Sequence, residues 1–200
     1  MAAGAVQLAC QGARAELQRR GGRLAAGEEI DVERVYHHRP TYPIDPETGR
    51  VQGERVFVAL AAVAMKAQVE VDLELGLSRV TWIGCTVDAG RAVNPLALAG
   101  QVHGGTAQGI GLALMEEIQV RDGRIVNASF TDYLLPTALD MPPVESILIE
   151  DPQPDAPYGV KGVGEPPTVV STAAIVAALR DATGRPLVRV PVKPDDVVGL

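Results

Sequence analysis

The spacing of apolar and polar positions divides the chain into helical and extended stretches. Val6, Cys10, Ala13 and Leu17 recur at helical spacing, with Gln7, Gln11, Arg14 and Gln18 beside them. That pattern predicts an amphipathic helix over MAAGAVQLACQGARAEL, stopped by Gly21-Gly22. EIDVERVYHH reads as a strand, and RPTYPIDPETGR, with Pro40, Pro43 and Pro46, as a loop. Within 55–75, Val69, Val71, Leu73 and Leu75 alternate with Gln68, Glu70, Asp72 and Glu74, a period-2 strand with one wet face. LGLS turns it, and 79–87 pairs back as a hairpin. Asn94-Pro95 opens a second helix, 96–117, in which Gly100, Gly104, Ala107 and Gly111 fall at steps of four, three and four. These make one face of almost bare backbone, flanked by a stripe of Gln101, Gly105 and Gln108. A glycine costs about 1 kcal/mol in a helix interior, so something must pack very close to this helix.

IQVRDGRIVNASF predicts a hairpin around Asp122-Gly123, 132–143 an irregular loop and 145–150 a strand. Residues 151–167 hold five prolines and three glycines and read as irregular. A third helix, 168–183, is apolar nearly all round, which predicts burial, and Gly184 ends it. LVRV reads as a short last strand. Without repeats or linkers, the pattern is one α+β domain over 1–200. A mixed or antiparallel sheet packs with the Gly-rich helix and a buried C-terminal helix.

Composition narrows the classes. With 46% hydrophobic and 22% charged residues, 200 residues can bury roughly 70% of their unfolded surface, which excludes a disordered tail. Eighteen basic against 25 acidic residues, a net charge of −7, argue against broad nucleic-acid or anionic-membrane binding. Cys10 and Cys85 are too few for a disulfide framework or an iron–sulfur cluster, and read as buried thiols in a reducing compartment. No apolar run reaches the roughly 20 residues of a membrane span, and no basic stretch precedes the apolar start. The expectation is a cytoplasmic protein without nucleic-acid or membrane partners.

Three segments could carry chemistry. In YGVKGVGEPP, Gly162 and Gly164 allow positive φ or close approach of a ligand. Glu165 stands before Pro166-Pro167 at the start of a helix, where the dipole favours a carboxylate. It is either a base or simply a cap. GGTAQGIG, 104–111, resembles a dinucleotide loop in its glycines, but it follows no strand and sits inside a helix, which favours glycines for tight packing. His37 and His38 point to opposite faces of an extended segment and cannot share a metal. No metal ligand is assigned. Asp88, Asp132 and Tyr133 read as turn and hydrogen-bonding residues.

VDAGRAVNPLALAGQVHGGTAQGIGLALMEE, FTDYLLPT and GVKGVGEPP follow one another in this order. Together they resemble the C-terminal part of the molybdenum subunit of the xanthine dehydrogenase family. MAAGAVQLACQGARAEL is similar to the helix that follows a cofactor loop there, so the resemblance covers nearly the whole chain. It implies that Gln101, the Gln of a GQxxGG motif, hydrogen-bonds the molybdopterin region. Gly104 and Gly105 let the helix approach the cofactor, and Gly162, Val163 and Gly164 shape the loop beside the metal. It also implies that Glu165, the Glu of a GVGE motif, is the active-site base in hydroxylation of an electron-poor carbon with water-derived oxygen.

HHRPTYPIDPETG and MEEIQVRDGRI look most like bacterial xanthine dehydrogenases. They imply a purine substrate such as xanthine or hypoxanthine, and the cytosine dinucleotide form of the molybdenum–molybdopterin. Aldehyde-, nicotinate- and carbon-monoxide-oxidising relatives share the same motifs. The family's molybdenum subunit is several times longer. The resemblance therefore implies that the remaining molybdenum-subunit half, an iron–sulfur subunit and an FAD subunit lie elsewhere, in a dimer of the assembled complex. The alternatives are a non-catalytic domain without cofactor and, less in keeping with the glycine pattern, a nicotinamide enzyme.

Overall fold

In the computed structural model, which describes Met1–Leu200, residues 1–60 and 152–161 make one unit and residues 61–151 and 162–200 another. The sequence pattern alone reads as one domain over 1–200.

The first unit is built on α1 (Ala2–Arg19), whose amphipathic spacing forms the expected helix. Gly21 and Gly22, at φ +82° and +80°, end it. EIDVERVYHH forms no strand. Its apolar residues face a helix, which offers no backbone ladder: the Tyr36 ring lies over Gly4, and Val32 Cγ1 is 2.8 Å from where Gly12 would carry a Cβ. Arg39 donates to Asp155 Oδ2 at 2.6 Å and to Val58 O, tying 152–161 to this unit. Cys10 is exposed rather than buried, because it falls on the solvent side of α1.

The second unit contains the sheet. β1 (Val63–Val71) and β2 (Ser78–Asp88) pair antiparallel, from Val63↔Val87 to Val71↔Ser78, with a bulge at Gln68/Val69. Leu73 and Leu75 belong to the turn, not the strand, because Asp72 Oδ1 accepts from Glu74 N and Leu75 N at 2.9 Å. α2 (Pro95–Leu114) follows, with the Asn94 side chain accepting from Ala97 N at 3.0 Å and Pro95 in the first turn. α2 stops three residues short of the expected end because Gly111 O takes both Met115 N and Glu116 N.

β3 (Val120–Arg121) and β4 (Arg124–Ile125) form the expected small hairpin, with Asp122 and Gly123 both at positive φ. β5 (Val144–Ile149) pairs parallel with β2, so the order is β1-β2-β5 and the sheet is mixed. α3 (Pro166–Thr183), ended by left-handed Gly184, packs with α2, β1 and β2. Ile83, Ile110, Ala113, Ile175 and Leu179 form the core between sheet and helices.

α3 buries one stripe, Pro167, Ser171, Ile175 and Leu179, rather than its whole circumference, and Val169 is 72% exposed. LVRV forms no strand, since the Arg180 guanidinium takes the Leu187 carbonyl that a ladder would have used (Nε···O 2.8 Å). α4 (Pro194–Val198) is a helical turn not anticipated from the sequence. The result is an α+β architecture, as expected.

Candidate functional site

The expected site residues gather at one end of the α2–α3 pair. Thr168 Oγ1 donates to Gly105 O at 3.1 Å, and Thr172 Oγ1 donates to Gly109 O at 3.1 Å. Both contacts join residues 63 positions apart. The two helices therefore run in the same direction, with α3 starting at Pro166 beside the middle of α2 rather than at its N-terminus. One turn before Thr168 and Gly105 come Gly164 and Gln101, again 63 apart, and Gln101 Oε1 lies 3.7 Å from where Gly164 would carry a Cβ. The register thus places the GVGE loop beside the Gln of the preceding helix.

Bare backbone on α2 makes this pairing close. A Cβ on Gly105 would stand 3.0 Å from Pro167 Cβ and 3.3 Å from Thr168 N. One on Gly109 would overlap Ser171 Oγ and lie 2.6 Å from Ser171 Cβ. The tightly packed face is therefore the one through Gly105 and Gly109. Gly100 and Gly104 lie on the face for which the spacing predicts close packing, yet a Cβ on either would have nothing within 4 Å. A helix has several faces, and periodicity alone does not say which of two glycine stripes meets protein.

Glu165 directly precedes α3, and its side chain caps no backbone N–H. Pro166 and Pro167 lack the first two helix N–H groups, and the third, that of Thr168, takes no bond from Glu165. The Glu165 carboxylate is consequently exposed and uncommitted, which separates it from the capping alternative. Gly162 and Gly164 both have ordinary negative-side or extended φ rather than positive φ, and Gly162 has open space around it. No turn in this chain needs either to be glycine. What their lack of a side chain provides is room. Val163 does the opposite: it packs against the buried group Cys85, Val87 and Val102 and pins the loop to the sheet and to α2. Gln101, Gly104, Gly162, Gly164 and Glu165 all reach the surface, while Gly105 is buried under α3.

The dinucleotide alternative fails on position: β2 ends at Asp88, α2 begins at Pro95, and Gly104–Gly111 fall in mid-helix, not in the turn that would cradle a pyrophosphate. Thr168 and Thr172 escaped the sequence reading. Their four-residue spacing, matched to that of Gly105 and Gly109, is the signal that pairs them. Just beyond α2, Glu116 folds back over Gly111 and accepts the Tyr133 hydroxyl at 2.7 Å, which raises the phenol's pKa above its ordinary value.

Residues 1–142 match the family model of the molybdopterin cofactor-binding domain. Gln101, Gly104 and Gly105 lie inside that stretch, and the 162–165 loop lies beyond it. The chain is 38% identical over 168 residues to the gamma subunit of the 6-hydroxypseudooxynicotine dehydrogenase complex of Paenarthrobacter nicotinovorans, covering 76% of this chain and 21% of that protein. It is 40% identical over 130 residues to a putative xanthine dehydrogenase molybdenum-binding subunit of Escherichia coli, covering 63% and 17%. Among solved structures, aldehyde oxidoreductase from Desulfovibrio gigas superposes with a TM-score of 0.64 at 35% identity, over 70% of this chain and 15% of that one. The chain thus spans about a fifth or less of the length of these relatives.

Proposed function

We propose, from the premise that this chain belongs to the molybdopterin cofactor-binding domain family, that it supplies the base and one wall of the cofactor cleft in a molybdenum-dependent hydroxylase. The observation that carries this reading is the start of α3 against the flank of α2. There Gln101 lies beside the 162–165 loop, next to glycines that the chain's own packing does not require. Exposed helix glycines such as Gly100 and Gly104 each cost about 1 kcal/mol relative to alanine. A flat, polar pterin lying against bare backbone gives that cost a use, and the Gln101 amide can both donate to it and accept from it. The residues present therefore fit the group the family binds. When bound, the molybdenum–molybdopterin accepts the two electrons removed from the substrate.

The overall change replaces a substrate C–H by C–OH, takes the oxygen from water, and releases two protons and two electrons. Glu165 is the residue placed to receive the first of these protons. Its carboxylate is held by a loop that Val163 anchors, and it makes no cap bond to α3. A positioned base of this kind contributes about 10²–10⁴-fold. Gly162 and Gly164 keep side chains out of the space beside it.

Similarity to xanthine dehydrogenase molybdenum-binding subunits supports a purine such as xanthine or hypoxanthine as substrate. The 6-hydroxypseudooxynicotine relative matches more of the chain and favours a second reading, oxidation of another N-heterocyclic or carbonyl compound at the same site. The rest of the site falls to the remaining molybdenum-subunit half, and onward electron transfer to iron–sulfur and FAD subunits, with the pterin in its cytosine dinucleotide form. Exposed area supports partners. The chain exposes 13290 Å², against about 9,000 Å² for a compact protein of this mass and about 11,000 Å² for two separate compact bodies of these sizes. Leu96, Phe130, Leu139 and Val188 are each more than 80% exposed.

The test is Glu165→Gln in the assembled enzyme. Turnover should fall at least about 10²-fold with molybdenum content unchanged. Purine or aldehyde oxidation at the normal rate would contradict the assignment.

A further inference from the structure

We propose that Thr168 and Thr172 are positioning residues: their hydroxyls refine the parallel register of α2 against α3 and so hold the Gly164–Glu165 step beside Gln101. The inference rests on the reading of Glu165 as base. The face that α2 turns to α3 carries Gly105 and Gly109. Helices normally fix their mutual register by ridges of side chains entering grooves. At Gly105 and Gly109 α2 offers no ridge of its own, only a notch that Ser171 fills, while Ile110 and Ala113 pack with Ile175 and Leu179 farther along. Shape selects the turn of α2 that meets α3, and directional bonds refine the register at the start of α3.

The two threonines supply these bonds. Each Oγ1 bonds one backbone carbonyl of α2 at 3.1 Å, four residues apart on both helices. A carbonyl oxygen has two lone pairs, so Gly105 O and Gly109 O can accept these hydroxyls while keeping their place in the helix ladder. A slip of part of a turn breaks both bonds, and a slip of a full turn, about 5.4 Å, would bring the side chain of Gln101 or Ala113 against α3 in place of a glycine. The single Thr168 hydroxyl proton is shared between Gly105 O and Gln108 Oε1, 3.0 Å away, both on α2, so either bond ties the same turn. Ser171 acts by shape alone: it fills the notch at Gly109, while its hydroxyl bonds Thr168 O within its own helix at 3.2 Å. Thr168 is three residues from Glu165, in the first turn of α3, so an error of register there is transmitted directly to the carboxylate.

The experiment compares the wild type, Thr168→Val/Thr172→Val, and Thr168→Ser/Thr172→Ser in the assembled, molybdenum-loaded enzyme. Valine keeps the shape and removes the hydroxyl; serine keeps the hydroxyl. The valine pair should lower kcat about ten- to a hundredfold, the scale of an ångström-sized misplacement, with KM and molybdenum content within about twofold of wild type. The serine pair should recover most of kcat. In the metal-free complex, hydrogen exchange over 162–168 should rise in the valine pair and return in the serine pair.

Unchanged kcat per molybdenum, with only a lower unfolding temperature, would overturn the proposal, as would activity lost in proportion to molybdenum. If the double valine variant fails to fold, Thr172→Val alone, one turn farther from Glu165, must show the same kcat-selective loss; a loss confined to stability overturns the proposal. Failure of the underlying reading is separate: it shows as full turnover in Glu165→Gln, whatever the threonine variants do.

Discussion

Adding one methyl group at two neighbouring glycines of α2 should have opposite consequences. At Gly104 nothing lies within 4 Å of the new Cβ. The substitution Gly104→Ala removes the flexibility of a helix-interior glycine and should stabilise the fold by about 1 kcal/mol. For a chain of this size that raises the unfolding temperature by about 2–4 °C. At Gly109 the same methyl overlaps Ser171 Oγ and stands 2.6 Å from Ser171 Cβ and 3.3 Å from Thr172 N. The hydroxyl can rotate away, but the Ser171 Cβ and the Thr172 backbone cannot move without parting the helices. Overpacking of this kind costs about 1–3 kcal/mol, which offsets or exceeds the gain in helix propensity. The two variants should therefore differ by about 1–3 kcal/mol in favour of Gly104→Ala.

Thermal and denaturant unfolding of the assembled subunit measures this difference. Molybdenum content, measured alongside, should fall in Gly104→Ala despite its greater stability, because the methyl occupies the surface assigned to the pterin. Equal stabilities for the two variants would refute the assignment of the packed and open faces. A stabilised Gly104→Ala that keeps all its molybdenum would refute the cofactor face.

Other outcomes follow from the same structure. One thiol per chain, Cys10, should react with a thiol reagent in the native state, while Cys85, buried and with its pKa raised by desolvation, should react only on unfolding. Asp196 accepts from Lys193 N at 2.9 Å and also faces Arg189, which hold its carboxyl below the usual value of 3.8. Its contribution is therefore present above that value and is lost as pH falls through the lower folded value. Hydrogen exchange at Lys193 and Val197 should accelerate only below about pH 4, and Asp196→Asn should abolish that acid-range dependence.

The elements legible in the sequence were those whose signals are local. The period-2 run ending at Val71 and its partner strand gave the β1–β2 hairpin, and Asn94-Pro95, Asp122-Gly123 and Gly184 marked their turns and caps. EIDVERVYHH misled because one-sided burial against helix α1 produces the same alternation as one-sided burial in a sheet. LVRV misled because its Leu187 carbonyl is taken by Arg180, a partner that no local pattern announces. In the site, the residue types and their spacing singled out Gln101 and Glu165. Their proximity depends on the α2–α3 register, which is written in pairs 63 positions apart and becomes visible only once the helices are packed. The same packing decides that Gly105 and Gly109 meet α3 while Gly104 faces outward, a distinction the glycine spacing could not make.

The central claim is that the start of α3, against the flank of α2 at Gln101, forms part of a molybdenum site. Its most direct test is elemental mass spectrometry on this chain, captured gently from its native host with whatever remains bound. The account predicts about one molybdenum per chain, with iron alongside from the electron-transfer subunit. A chain recovered intact with its partners but without molybdenum would contradict it.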